Sequence, residues 1–286
     1  MKNNMSNKSG LKLKRHETFS IREGWLEKAI NLLEENPNCF GKDNGQQILG
    51  IGTNMVKSLR YWIEACGLIK FYQGKGYLYE ELGEYLKNKD PYLNNKTSWW
   101  LIHLYLASNF DCAPVFNTFF NINLNKFDKD QLFNQIKDKL EEKYIVGADS
   151  SLESDCNILL KSYYSDDVSN PEDNMTCPLS KLGLISTFDK KIYFKSQPKY
   201  NDLDYKIVYY SMINSFKNSN LYKGTSFNLE DMYTWNNNPI NMFNLSKSSL
   251  FQYLDEMKKN GLISLIKTAG LNTVTINKDL SLSDLF

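Results

Sequence analysis

The sequence predicts an α+β protein, mostly α-helical, with winged helix-turn-helix modules at both ends joined by a helical middle region. Three observations predict it. Apolar residues recur at helical spacing along much of the 286-residue chain. Around residues 68–79 and 262–276 the pattern switches to strand-like runs directly after a helix. The tripeptide Gly-Leu-Ile occurs at 67–69, 183–185 and 261–263, each time after a helical segment. Glycine supplies the left-handed conformation that ends a helix, and the two aliphatic residues start a buried strand. The recurrence therefore points to a repeated small α+β unit.

Taken in order, residues 1–15 read as a disordered basic tail with five positive charges and no acid. Ser20 to Glu23 has the form of a capping box, opening a helix whose inner face carries Ile21, Trp25, Leu26, Ala29, Ile30 and Leu33. Asn36-Pro37 ends it. A short segment at 46–49 follows, and Thr53 is placed to cap a helix running to Cys66, with Met55, Val56, Leu59, Trp62, Ile63 and Cys66 as its apolar stripe. Residues 68–72 and 77–79 then form a hairpin across the two-glycine turn at 73–76. This order defines an N-terminal winged-helix module over 16–90. The middle region, 91–175, holds a strongly apolar helix at 97–108 and amphipathic helices at 128–144 and 152–164. The polar stretch 165–175 marks a loop or boundary. The remainder, 176–286, reads as a hairpin at 184–194 followed by a second winged-helix module. In that module Ser246 caps a helix to Lys259, and strands follow at 262–266 and 273–276.

Composition narrows the function. No run of eighteen apolar residues exists, so a membrane span is not expected, and the polar N-terminal residues lack the apolar segment of a secretory signal. Five cysteines without a Cys-x-x-Cys pair argue against a disulfide framework and for a cytoplasmic location. Two histidines leave little material for histidine-based catalysis or metal binding. Cys177 with His103 is the one nucleophile–base pair that can be imagined, and no spacing brings them together. Asp155 and Glu153 with Asp166 or Asp167 lack any metal-ligand spacing. The expectation is a protein that is not an enzyme and carries no cofactor or metal. Charge is uneven: residues 126–175 hold six Lys against twelve acids, and 176–286 hold thirteen Lys against nine. Basic ends flank an acidic middle.

The helix from Thr53 to Cys66 is the candidate recognition helix. Its non-apolar face presents Asn54, Lys57, Ser58, Tyr61 and Glu64, with Arg60 at the edge. Lys57, Arg60, Lys75 in the hairpin turn, and Lys247 are placed for phosphate contacts, whereas Asn54 and Tyr61 lie where bases are read. Lys247, Ser248 and Gln252 occupy the corresponding outer face of the last module. These DNA-binding candidates, Thr53 included, have an equally simple alternative as solvated helix surfaces, because many winged helices serve protein assembly.

The stretches HETFSIREGWLEKA (16–29), LGIGTNMVKSLRYWIEACGLI (49–69), DPYLNNKTSWWLIHLYLAS (90–108) and CPLSKLGLI (177–185) carry a resemblance. Its most specific part combines the box His16 to Phe19 with the helix containing Asn54, Met55, Val56, Arg60, Tyr61 and Trp62. Together they resemble an uncharacterised bacterial family, the domain-of-unknown-function family numbered four thousand and seven. Arg15 stands where that family has glycine. Members are typically encoded in gene neighbourhoods for DNA sulfur modification (phosphorothioation) and phage defence. The resemblance implies a role on or near double-stranded DNA, with no catalytic residue identified. The expected function is non-enzymatic DNA binding in such a system. The alternative is an adaptor whose winged helices assemble the sulfur-modification or restriction proteins.

Overall fold

The computed structural model describes residues 10–36, 39–40, 45–72, 75–78, 81–165, 176–217, 223–268 and 271–285. Helix α1 (Trp25–Glu35) starts after Gly24, which is left-handed at φ 77°. The expected capping box at Ser20 is not formed. Instead the Phe19 carbonyl accepts from the indole of Trp62 at 2.9 Å, so the segment leading into α1 is held by tertiary contact rather than by a local cap. Helices α2 (Gly45–Leu49) and α3 (Thr53–Ala65) follow. Gly52, not Thr53, is the N-cap of α3; the Thr53 hydroxyl accepts from the Gln46 side chain at 2.5 Å. Strands β1 (Ile69–Tyr72) and β2 (Lys75–Leu78) pair antiparallel with Ile69 opposite Leu78 and Tyr72 opposite Lys75, and α4 (Leu82–Lys89) closes this unit.

The middle of the chain is not purely helical. After α5 (Lys96–Ser108) and α6 (Pro114–Asn121) comes the short strand β3 (Lys126–Phe127). Helices α7 (Lys129–Glu141) and α8 (Asp149–Tyr163), a 3-10 turn at Pro178–Leu182, and strands β4 (Ile185–Thr187) and β5 (Tyr193–Lys195) complete it. Asp128 and Gln131 form a reciprocal capping box on α7. The three strands make an antiparallel sheet in the order β3-β5-β4. The hairpin expected to open the C-terminal part thus pairs with a strand of the middle region, and the sheet spans the division drawn at 175.

The C-terminal part repeats this order. Helix α9 (Tyr205–Lys217) leads to β6 (Ser226–Asn228), short helices α10 (Leu229–Met232) and α11 (Pro239–Met242), α12 (Lys247–Lys259), and strands β7 (Ile263–Thr268) and β8 (Leu271–Ile276). The sheet order is β6-β8-β7, the same arrangement of first, third and second strand. A final turn, α13 (Leu282–Leu285), follows. Among the described residues the architecture is mostly helical with three small antiparallel sheets. Each Gly-Leu-Ile glycine is left-handed, at φ 69°, 70° and 69° for Gly67, Gly183 and Gly261. At Gly67 a second constraint applies: a Cβ would lie 2.5 Å from Cδ1 of Tyr105, so any larger residue forces that ring to shift.

The core centres on α5, which is apolar on nearly every side and packs on α6, α9, α11 and the 3-10 turn. His103 lies inside it, fully buried. The His103 Nε2 is 2.7 Å from the Met242 carbonyl and Nδ1 is 2.6 Å from the Tyr163 hydroxyl. A carbonyl only accepts, so Nε2 carries the proton and Nδ1 accepts from Tyr163, which leaves the ring neutral. Burial lowers its pKa to about 4, in keeping with that tautomer. Nearby, the Lys195 ammonium donates to the Phe119 and Ile122 carbonyls at 2.6 and 2.9 Å, closing the C-terminal end of α6. Among the described residues no helix is long and apolar enough to cross a membrane.

Candidate nucleic-acid interface

Helix α3 buries the stripe predicted for it: Val56, Leu59, Trp62 and Ile63 are all inside. Its opposite face divides in two. Over the first turns, Thr53, Asn54 and Lys57 are exposed, and Lys57 Nζ lies 3.4 Å from the Asn54 side-chain oxygen. No acidic residue occurs in that first turn. Arg60 is half-buried because its guanidinium stacks 4.2 Å from the ring centroid of Phe71, which ties α3 to β1. Lys70 on β1 is exposed.

The second half of that face is covered, and two expectations fail there. Tyr61 is only 6% exposed and Ser58 is fully buried, so neither reaches a base. The cause is the segment 10–19, which lies across α3. The Arg15 guanidinium sits 5.3 Å over the Tyr61 ring and pairs with Glu64 at 2.8 Å. The Ser58 hydroxyl donates to the Phe19 carbonyl at 3.5 Å. Desolvation raises the Tyr61 phenol well above its usual pKa.

Residues 10–15, expected to belong to a disordered tail, are therefore packed. Their anchor is Asp155 on α8. The Lys14 amide donates to both carboxylate oxygens, at 3.0 and 3.2 Å, and the fully buried His16 places Nε2 2.5 Å from Oδ1. The Thr18 amide donates to His16 Nδ1 at 3.1 Å, so Nε2 is the ring's donor to Asp155. Leu11 adds a backbone bond to Ile145. The His16 box thus builds a strap joining α3 to α8.

Lys75 begins β2, opposite Tyr72; its side chain and the turn residues Gln73 and Gly74 lie outside the described residues. On α12, Lys247, Ser248 and Gln252 are exposed as expected. Lys247 is not isolated, for its ammonium is 3.1 Å from Glu230 and 4.2 Å from the Tyr233 ring centroid. The Ser248 hydroxyl bonds that of the N-cap Ser246 at 2.9 Å. Helix α3 packs on α1, α2 and β1, and α12 packs on α9, α11 and β7, so the two sets of candidates belong to separate units.

Cys177 and His103 offer no nucleophile and base. Burial raises the Cys177 thiol to about 12, and His103 is committed to Met242 and Tyr163. Asp166 and Asp167 lie outside the described residues, and among the described ones no three His, Cys, Asp or Glu side chains gather as a set of metal ligands.

None of the curated proteins matches the chain. Two solved structures share its fold. A magnesium ion-bound SspB crystal structure superposes with a TM-score of 0.82 at 23% identity, covering 94% of this chain and 84% of SspB. A second SspB crystal structure gives a TM-score of 0.82 at 22% identity with the same coverage. The family model described as protein of unknown function (DUF4007) matches residues 13–285, nearly the whole sequence, and the chain belongs to that family.

Proposed function

We propose that this protein is a cytoplasmic, double-stranded-DNA-binding component of a bacterial DNA-modification (phosphorothioation) or phage-defence system, without a catalytic step of its own. The observation that carries this reading is the exposed first half of α3. Asn54 and Lys57 face water beside Arg60 and Lys70, no acid sits in the first turn, and the one acid further along, Glu64, is neutralised by Arg15. The unit around α12 supports it: helix, strand, two short helices, helix and hairpin, with the first strand paired to the last, match the winged-helix order. Membership of the family described as of unknown function suits this setting, because the sequence resemblance set out above implies phosphorothioation and phage-defence gene neighbourhoods.

In this reading Lys57, Arg60 and Lys75 meet phosphates, Asn54 and Thr53 lie toward the groove, and Lys247, Ser248 and Gln252 make a second contact. Each phosphate neutralised adds about 0.9 to the slope of log affinity against log salt. Fluorescence anisotropy of a labelled duplex over a salt series tests it. Lys57→Glu is expected to weaken binding by about tenfold and to flatten the slope by about one unit. Absence of binding to any duplex at low salt rules the reading out.

The adaptor reading draws on a different observation. Lys247 is held by Glu230, and α7 and α8 carry exposed acids such as Asp130, Glu141 and Glu153 that repel DNA and suit a basic protein partner. If Lys57→Glu dissolves a complex with partner proteins while DNA binding is unchanged, the adaptor replaces the DNA contact.

A further inference from the structure

Three positions after the isoleucine of each Gly-Leu-Ile stands a large side chain that is exposed to water. Tyr72 follows Ile69, Phe188 follows Ile185 and Ile266 follows Ile263, and they are 61%, 94% and 56% exposed. In β1 and β7 this follows from strand alternation, because the isoleucine points into the core and an odd offset faces outward; Phe188 stands one residue past the end of β4, in the turn. Single apolar residues on a surface are ordinary. Recurrence at one offset in three hairpins is not scatter.

Of the three, the middle hairpin has its turn wholly among the described residues. Its turn is braced by side chains: Asp189 accepts from the Lys191 and Ile192 amides at 2.9 and 2.8 Å. The Thr187 hydroxyl accepts from the Lys190 amide at 3.0 Å and donates to the Ile192 carbonyl at 2.6 Å. These bonds hold Phe188 outward, touched at its edge by Phe194 with ring centroids 5.7 Å apart. The Lys126 ammonium is 5.8 Å from the Phe194 ring, and Lys191 is exposed. The other two hairpins also carry lysine in a strand: Lys70 is exposed on β1, and Lys267 follows Ile266 with its ammonium 5.0 Å from the Phe251 ring.

One side chain is too small for a protein-docking patch, which needs hundreds of Å² per partner. It is the right size to enter between two base pairs, where Phe and Ile act as wedges while neighbouring cations meet the flanking phosphates. We propose that these exposed hairpin side chains are apolar wedges that open base steps of a DNA duplex, with Phe188 the principal one. This inference rests on the DNA-binding reading above and adds that the bound duplex is locally unstacked.

The test uses the full chain and a labelled duplex carrying a fluorescent aminopurine base, compared with the same duplex containing one unpaired base. The wild-type protein is expected to brighten the aminopurine and to prefer the second duplex, whose step is already open. Phe188→Ala is expected to bind about tenfold more weakly and to lose the brightening. Its salt slope and melting temperature should be unchanged, because no charge and no buried contact is removed. Phe188→Trp restores both signals. Lys191→Ala behaves oppositely, flattening the salt slope while the brightening persists. If the wild type binds DNA and Phe188→Ala binds and brightens identically, the wedge is overturned and DNA binding stands. If the wild type binds no duplex, both fall; should Phe188→Ala then abolish self-association in sedimentation, Phe188 is a protein contact.

Discussion

His103→Ala is expected to destabilise the fold by about 4 kcal/mol, measured by urea or thermal unfolding. Two costs combine. Truncation opens a cavity among the rings of Trp100, Phe120, Tyr163 and Phe243, whose centroids lie 4.8 to 6.0 Å from the imidazole. It also strips the partner from the Met242 carbonyl and the Tyr163 hydroxyl, in a place water does not reach. His103→Phe separates the two, for it fills most of the space but restores neither bond, and a loss of about 2 kcal/mol is expected from the polar part alone. The imidazole also makes stability depend on pH. Its folded pKa is about 4 against an ordinary 6.5, so between those values the unfolded chain binds a proton that the folded chain refuses. Stability is complete above pH 6.5 and falls as the pH drops toward 4, by about 3 kcal/mol for this group. Both variants should flatten the acid limb. A melting curve of His103→Ala that overlays the wild type at neutral and acid pH would contradict this account of the core.

Asp155→Ala should be nearly as damaging and more local. The carboxylate receives the His16 imidazole and the Lys14 amide, and His16 is fully buried. Removing it leaves two donors without an acceptor in a closed site, at a cost of about 3 kcal/mol. The strap gives way first, since residues 10–15 have few other bonds than those to Asp155, Glu64 and Ile145. Hydrogen exchange at the Lys14 and Thr18 amides is expected to accelerate, and protease cleavage within 10–20 to appear, before the global transition. Asp155→Asn, which keeps an acceptor, should lose less. Unchanged exchange at Lys14 in Asp155→Ala would show that the strap is held elsewhere.

The helices with sustained apolar spacing were legible, α3 and α12 nearly to the residue, because burial of one stripe dominates their energetics. The three Gly-Leu-Ile turns were legible for a similar local reason. Strand β3 was not: two residues, Lys126 and Phe127, carry no alternation, and the strand exists only because β5 arrives from far along the chain. Nor was the burial of Tyr61. Helical spacing correctly set it off the main apolar stripe, but a second surface, residues 10–19, covers it, and the charges of Lys12, Lys14 and Arg15 read as solvated. The available signal was the aromatic character of Tyr61 beside a buried-type histidine at 16. The exposure of Thr53, Asn54 and Lys57 was legible, because among the described residues no distant segment covers them.

The strap has a consequence for biosynthesis. Lys14 and Asp155 stand 141 positions apart, so the strap lacks its Asp155 anchor until α8 has left the ribosome. During that interval residues 10–19 hold to α3 only through contacts such as those of Arg15 and Phe19, and their docking on α8 comes late in maturation.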